Sequence, residues 1–278
     1  MRLFDRRWRV QVGSLDTSSL ACSFKIKRSV YARAGTCELV IRNLSEEHRR
    51  EITTSPRRRT YVEVQAGYVD GVSLLFRGDL RKVIPSRDGT DWLVTVTAGD
   101  GEHALRSARV TQSFARGTSI ETVVRHIADA LGVGVGNAVT ALRAARLGDA
   151  SEFSEGTILR GLASSELTRL CASAGLSWSV QDGALQVLPL GGGLAREAVL
   201  LSAGSGLLEA PEVVNRRTVN LKTLLIPGLT PGQLVVLDSA LARGTWRVSE
   251  IEFSGDTHGA DWGASITAHR PRPPLVAQ

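Results

Sequence analysis

The sequence SSELTRLCASAGLSWSVQDGALQVLPL, residues 164–190, predicts a helix followed by a β-hairpin. Its first half places apolar side chains at the spacing of one helix face, at Leu167, Leu170, Cys171 and Ala174. Gly175 comes directly after this stripe, where helices commonly end in a left-handed residue. We therefore expect a helix that packs on one face and ends at Gly175.

The second half of this stretch alternates between apolar and polar residues. Leu176, Trp178 and Val180 share one face of a predicted, half-buried strand. Asp182-Gly183 favours a type I′ turn, because both central residues of that turn need positive φ. A second strand then runs to Pro189, which ends the pairing. The hairpin predicts a core position for Trp178 and a turn at Asp182 and Gly183.

The chain on either side of this unit has mainly β-type patterns. Between residues 7 and 97, six short alternating strands are separated by turn residues such as Asp70-Gly71 and Asp88-Gly89, which is typical of a barrel or sandwich. Residues 120–131 form a helical stripe ahead of the central unit. Alternation resumes after residue 199. A small α+β module is therefore expected between two β-rich halves.

Two turns divide the C-terminal β-region into strands. Residues 227–232, PGLTPG, and residues 254–259, SGDTHG, concentrate the residue types that tight connections require. A last strand begins directly after the second turn. The residues to which we assign structural roles in this region are Pro227, Pro231, Gly232, Gly255, Asp256 and Trp262.

The composition is that of an ordinary globular protein. The chain has 278 residues, of which 42% are hydrophobic and 22% charged. It contains no apolar run of the roughly 18 residues that a membrane-spanning helix needs. The N-terminal segment MRLFDRRWRV lacks the apolar centre of a secretory signal, so synthesis in the cytoplasm is expected.

The sequence predicts no catalytic, cofactor-binding or metal site. The cysteines, Cys22, Cys37 and Cys171, lack metal-ligand spacing and fit buried apolar positions. No phosphate-binding or dinucleotide-binding glycine motif follows a predicted strand. Asp256 could orient His258 for catalysis, but Asp and Gly in such a turn more commonly serve its geometry.

Positive charge is concentrated in the first part of the chain. The net charge is +6, and residues 1–110 contain 20 Lys and Arg against 13 Asp and Glu. Arginine clusters occur at residues 6–9, 48–50 and 57–59. They are consistent with a partner-facing surface or with nucleic-acid binding, although the stacking aromatics that single strands require are nearly absent there.

These segments resemble the baseplate hub proteins of contractile-tailed bacteriophages and related phage-derived injection systems. The resemblance is carried by residues 164–191, by SGLLEAPEVV, LLIPGLTPGQLVVLDS and GTWRVSEIEFSGDTHGADW, and by SFKIKRSVYARAGTCELVIRNLSEE near the N-terminus. It extends over nearly the whole chain, and the order of the segments is more specific than any one of them.

The resemblance implies a mainly β fold with an α+β insertion, in which two tube-protein-like β-barrel domains flank a small helix-hairpin module. The expected boundaries are residues 1–107 for the first barrel, 108–193 for the module, 194–270 for the second barrel and 271–278 for a tail. It implies a homotrimeric hub in the virion tail that joins the hexameric tail tube to the trimeric central spike. Baseplate wedge and tape-measure proteins are further expected partners, with DNA only in transit.

Two other functions remain as alternatives. The basic clusters would suit a nucleic-acid-binding module, whose affinity would fall steeply with salt. A cell-wall hydrolase of the tail tip would use Asp256, His258 or another of the scattered acids.

Overall fold

The structure is a computed structural model that describes residues 3–32, 34–56, 60–100, 102–145, 152–194 and 196–272. Elements of the first part are β1 (Arg6–Val12), β2 (Leu15–Asp16), β3 (Cys22–Ser29), β4 (Thr36–Arg42), α1 (Glu46–Thr54), β5 (Tyr61–Tyr68), β6 (Gly71–Asp88) and β7 (Asp91–Gly99). The middle module follows with α2 (Glu102–Ser107), β8 (Arg109–Phe114), α3 (Ile120–Leu131), α4 (Ala138–Ala145), β9 (Thr157–Leu162), α5 (Ala163–Ser173), β10 (Leu176–Gln181) and β11 (Ala184–Pro189). The last part contains β12 (Val199–Leu201), β13 (Glu212–Asn215), β14 (Thr218–Leu224), β15 (Leu234–Asp238), β16 (Arg243–Asp256) and β17 (Trp262–His269).

Strands from both ends of the chain form one large sheet. Its order is β13-β14-β17-β16-β3-β4-β7-β6-β5-β1-β2, and β15 and β12 extend it from β16. β16 and β3 pair antiparallel, with Ser254 opposite Lys25, and this pairing joins the two halves. The β12–β15 pair is parallel.

The mainly β class is confirmed, but two closed barrels are not. Among the described strands the order runs from one free end to the other without closing. The pairing of β16 with β3 places strands from the predicted first and second barrels side by side. Alternating sequence patterns identify the strands but carry no signal for which distant strands pair, and the separate barrels were inferred from the resemblance.

One hydrophobic core lies under this sheet. It contains fully buried residues of both halves, such as Val10 and Ile41 from the first and Val219 and Val248 from the last. Burial of each such side chain stabilises the fold by about 1.5–3 kcal/mol. The two β-rich halves are therefore one packing unit.

The middle module has a separate core. The apolar stripe of α3 is entirely buried in it, together with side chains of α5 and the β10–β11 hairpin. Ser119 caps α3 by accepting a hydrogen bond from the Thr122 backbone N–H at 3.1 Å, and Gly132 ends the helix with φ of 66°. The helix-hairpin unit that the sequence predicted at residues 164–190 is present, with α5, β10 and β11 in that order.

The polar face of β10 differs from its prediction. Ser179 and Gln181 are buried, although their alternation with apolar residues indicated a solvent-facing side. The difference arises because the hairpin lies against the large sheet, where Gln181 bonds to the backbone of Ser29. The resumption of the β pattern near residue 199 coincides with β12, whereas the sequence pattern gave no indication of the short strand β13.

Candidate assembly surfaces

Trp178 lies in the core of the middle module, opposite Val187 on the neighbouring strand. Its side chain is 4% exposed, and its indole N–H donates to the hydroxyl of Thr168 at 3.0 Å. A buried indole needs such a partner, so the site suits tryptophan in both shape and polarity.

Asp182 and Gly183 form the two-residue turn of the β10–β11 hairpin. Their φ angles are 54° and 78°, the left-handed values that a type I′ turn requires. The turn also contacts the large sheet, because Asp182 accepts a hydrogen bond from Arg28 at 2.7 Å. Arg28 lies on β3, and no feature of its local sequence predicted this contact.

Pro231 and Gly232 contact the middle module from the other side. The Pro231 carbonyl accepts a hydrogen bond from the Gln186 side chain at 2.8 Å. Gly232 has φ of 89°, and a Cβ there would lie 2.5 Å from the Leu188 side chain. The 227–232 turn thus holds the hairpin against the sheet and leaves no room for a larger residue at Gly232.

Close packing accounts for the positions of three further residues. Pro227 lies against Gly67, where an added Cβ would be 3.0 Å from the proline ring. A Cβ on Gly255 would lie 2.3 Å from the ring of Phe24. Trp262 packs edge-on against the same Phe24 ring, with centroids 5.8 Å apart.

Asp256 serves the geometry of the turn that follows β16. Its carboxylate accepts hydrogen bonds from the backbone N–H groups of His258 at 2.9 Å and Gly259 at 2.8 Å. The imidazole of His258 is hydrogen-bonded to the Thr257 hydroxyl at 2.9 Å. The carboxylate is therefore occupied by backbone donors and does not orient the imidazole, as a catalytic pair would require.

Arg6 ties the first strand to this turn, a contact the sequence analysis missed. Its guanidinium donates to the carbonyl groups of Asp256, Gly259 and Ala260 at 3.2, 2.7 and 2.9 Å. The same group stands 5.2 Å from the centre of the Trp262 ring. This arginine of the 6–9 cluster is thus a structural residue.

The other arginine clusters are also partly engaged within the chain. Arg49 lies over the Trp92 ring at 4.2 Å, and Arg50 pairs with Glu46 at 2.5 Å. The cluster at residues 57–59 lies outside the described residues. The aromatic ring beside Arg49 is therefore already stacked, which leaves it unavailable for a nucleic-acid base.

A groove on the large sheet carries charges of both signs. It has a volume of about 760 Å³ and crosses the outer face of β3, β14, β16 and β17. Glu252 pairs there with both Lys25 and Lys27 at 3.0 Å. Such mutual neutralisation does not create the field of one sign that a phosphate backbone or an anionic ligand would need.

Two free strand edges expose apolar side chains. All four residues of β13 are exposed, with Val213 at 49% and Val214 at 53%, and Leu208 on the preceding link is also exposed. On β12, Leu200 is exposed beside its partner Val236 on β15. Free edges carry unpaired backbone groups that can pair with another chain, so these edges are candidate assembly surfaces.

The described residues contain no cluster of side chains suited to holding a metal ion. Burial raises the pKa of the Cys22 thiol to about 11 and that of the Cys171 thiol to about 12, and it also raises the pKa of Cys37. Such thiols stay protonated at neutral pH and are poor nucleophiles. Among the helices of the described segments, none combines the length and apolar character of a membrane span.

Comparison with known families assigns the chain to one of them. The family model described as "Baseplate hub gp41" matches residues 8–266. The chain belongs to the baseplate hub gp41 family. As a member of this family, the protein is a structural component of the tail baseplate. No curated protein matches the chain by sequence.

Solved structures with the same fold include phage tail and secretion-system proteins. The 43 kDa tail protein of prophage MuSo2 from Shewanella oneidensis superposes with a TM-score of 0.66 at 14% identity, over 96% of this chain and 99% of that one. The E. coli c3393 protein, a type VI secretion component described as similar to T4 tail proteins gp27 and gp5, gives 0.55 at 10% identity, over 98% and 78%. A chain of the lidded Francisella PdpA-VgrG complex gives 0.60 at 8% identity, over 98% and 54%.

Proposed function

We propose that this protein is a homotrimeric hub that joins the hexameric tail tube to the trimeric central spike of a contractile-type tail. The observation that carries the proposal is the match to the baseplate hub family across residues 8–266. The fold shared with a chain of the PdpA-VgrG complex and with a type VI secretion component supports a spike as one partner.

The proposed role of the hub is to match two parts of the tail that differ in symmetry. A threefold spike and a sixfold tube match through a trimer only when each chain presents two comparable tube-facing units. We assign these units to residues 1–107 and 194–270, with the module at 108–193 between them and residues 271–278 as a tail. The pairing of β16 with β3 fixes the two units in one sheet, which supports a constant spacing between them.

The free strand edges are the proposed contacts between copies. A ring needs two different surfaces on each chain, one for each neighbour, so that the contacts close after three copies. The edge at β13 and the edge at β12 lie on different elements, and both expose aliphatic side chains. Burial of these side chains against a neighbouring copy would supply the apolar part of the interface.

The remaining partners follow from this placement. Wedge and tape-measure proteins would contact the ring in the assembled baseplate, and DNA would pass through it without being held. The chain would be made in the host cytoplasm and then built into the virion. The protein acts as an assembly component and not as an enzyme.

The test is the native mass of a variant with a charged edge. In the double variant Val213→Asp/Val214→Asp, two buried carboxylates would oppose association, so the mass should fall from about 89 kDa for three chains to the 29.8 kDa of one. Ile84→Asp replaces a comparably exposed aliphatic residue on β6 and should leave the trimer intact. Light scattering gives the masses, and circular dichroism checks that both variants fold.

If the double variant stays trimeric, β13 is not part of the interface between copies. Loss of the trimer in the Ile84→Asp control would show that the effect is not specific to this edge.

A further inference from the structure

The junction between the middle module and the large sheet is polar at the tip of the β10–β11 hairpin. Each side has its own apolar core, and the two cores have no residue in common among those described. The tip of the β10–β11 hairpin meets the sheet at Arg28 and Asp100, which are 6% and 5% exposed. When two parts of a protein separate at a polar contact, water can replace the hydrogen bonds that are lost. Their separation therefore requires less free energy than the separation of two parts that share an apolar core.

Arg28 is the centre of the junction on the sheet side. Its guanidinium donates to the Gln181 side chain at 2.9 Å, to the Leu75 carbonyl at 3.0 Å and to the Asp182 carboxylate at 2.7 Å. Gln181 returns a hydrogen bond to the Ser29 carbonyl at 2.8 Å. The cation thus has several acceptors, and the hairpin tip supplies two of them.

Asp100 is the second acid at this site, and it follows directly after β7. Its carboxylate accepts a hydrogen bond from the Gly183 backbone N–H at 3.2 Å. The charged groups that face it are Arg28 from β3 and Asp182 from the hairpin turn. The guanidinium of Arg81 on β6 lies against the neighbouring Gly99. The buried cation Arg28 is thus paired with Asp182, and Asp100 lies near both groups.

We propose that the middle module docks reversibly on the sheet through the Asp182-Gly183 turn, and that proton uptake by Asp100 favours the docked position. In the docked position Asp100 is buried beside Asp182, so a negative charge there is removed from water and lies near a second carboxylate. When the hairpin lifts away, the carboxylate of Asp100 regains water. This pH-dependent docking would be a property of the single folded chain, and it does not depend on the proposed function of the protein in a tail.

The sign of the effect follows from the direction of the pKa shift. Burial first and the Asp182 charge second raise the pKa of Asp100 from 3.8 to about 6, against the lowering effect of Arg28 and two backbone donors. Docking is therefore strongest below the ordinary pKa, weakens as the pH rises through about 6, and is weakest at neutral pH. A difference of about two pKa units corresponds to a change of roughly a hundredfold in the docking equilibrium.

Hydrogen exchange of the intact protein tests the proposal. Amide protection of the Asp182-Gly183 turn, whose Gly183 N–H donates to Asp100 across the junction, is measured by mass spectrometry with residue-level fragmentation. The pH runs from 4.5 to 7.5, the rates are corrected for intrinsic exchange, and residues 218–224 of the sheet are the internal reference. We expect protection of the turn to fall at least tenfold relative to the reference as the pH rises. In Asp100→Asn it should stay high and independent of pH, whereas Asp129→Asn, an exposed acid on α3, should behave as the unmodified protein.

A second variant keeps Asp100 in place and guards against a folding defect in Asp100→Asn. Asp182→Asn retains the positive-φ turn but removes the neighbouring charge, so the midpoint of the change should move to lower pH. Protection that does not depend on pH in the unmodified protein would overturn the proposal. Unaltered pH dependence in Asp100→Asn, or an unmoved midpoint in Asp182→Asn, would do the same.

Discussion

At several positions in this chain, the space available and the hydrogen-bond partners nearby decide which residue type fits. Trp178 fills the module core and has a hydroxyl within reach of its indole N–H, whereas Gly255 leaves space for the ring of Phe24. Both positions follow from local sequence, since alternation indicates an inward residue and a turn region attracts glycine. The partners themselves, Thr168 and Phe24, could not be predicted, because the pattern of one segment does not specify what packs against it.

Truncation of Trp178 should destabilise the middle module. Trp178→Ala removes a buried indole and leaves a cavity, so we expect a loss of about 3–5 kcal/mol in the free energy of unfolding. Urea denaturation followed by circular dichroism measures it. Trp92→Ala is the matched control, because Trp92 is only partly buried between Arg49 and Arg87, and a loss as large as that of Trp178→Ala would contradict the core assignment.

At the scale of elements, local sequence signals predicted the β10–β11 hairpin and helix α3. They did not predict which other elements these two contact. The Asp182-Gly183 pair predicted the turn, and the positive φ of both residues shows why. The contacts of that turn with Arg28 and Asp100 were missed, because they join positions more than 80 residues apart. For the same reason Ser179 was expected at the surface and is buried.

The cap of α3 offers a test at this scale. Ser119→Ala removes the hydroxyl that accepts the Thr122 N–H, so the orphan donor at the helix start loses its partner. We expect a loss of about 0.5–2 kcal/mol in stability, measured by thermal or urea unfolding. Ser113→Ala on the exposed face of β8 should cost less, and equal losses for the two variants would show that the cap is not the cause.

At the scale of the whole molecule, the decisive feature is the pairing of β16 with β3. It merges two β-rich halves that the sequence presents as separate, with the α+β module inserted between them. The strands near residues 22–29 and 243–256 were predicted as strands, yet nothing in either pattern identifies the other as its neighbour. The family resemblance supplied the class of protein, and the structure shows that the two halves share one sheet and one core.

The central claim is that this family member assembles as a threefold ring. The most direct measurement is the native mass of the unmodified protein by light scattering at moderate and high salt, with negative-stain class averages of the same fractions. We predict about 89 kDa, three times the 29.8 kDa chain, with threefold averages that persist at high salt, because apolar contacts are not screened. A stable dimer would contradict the claim, since a twofold assembly cannot match a threefold spike to a sixfold tube.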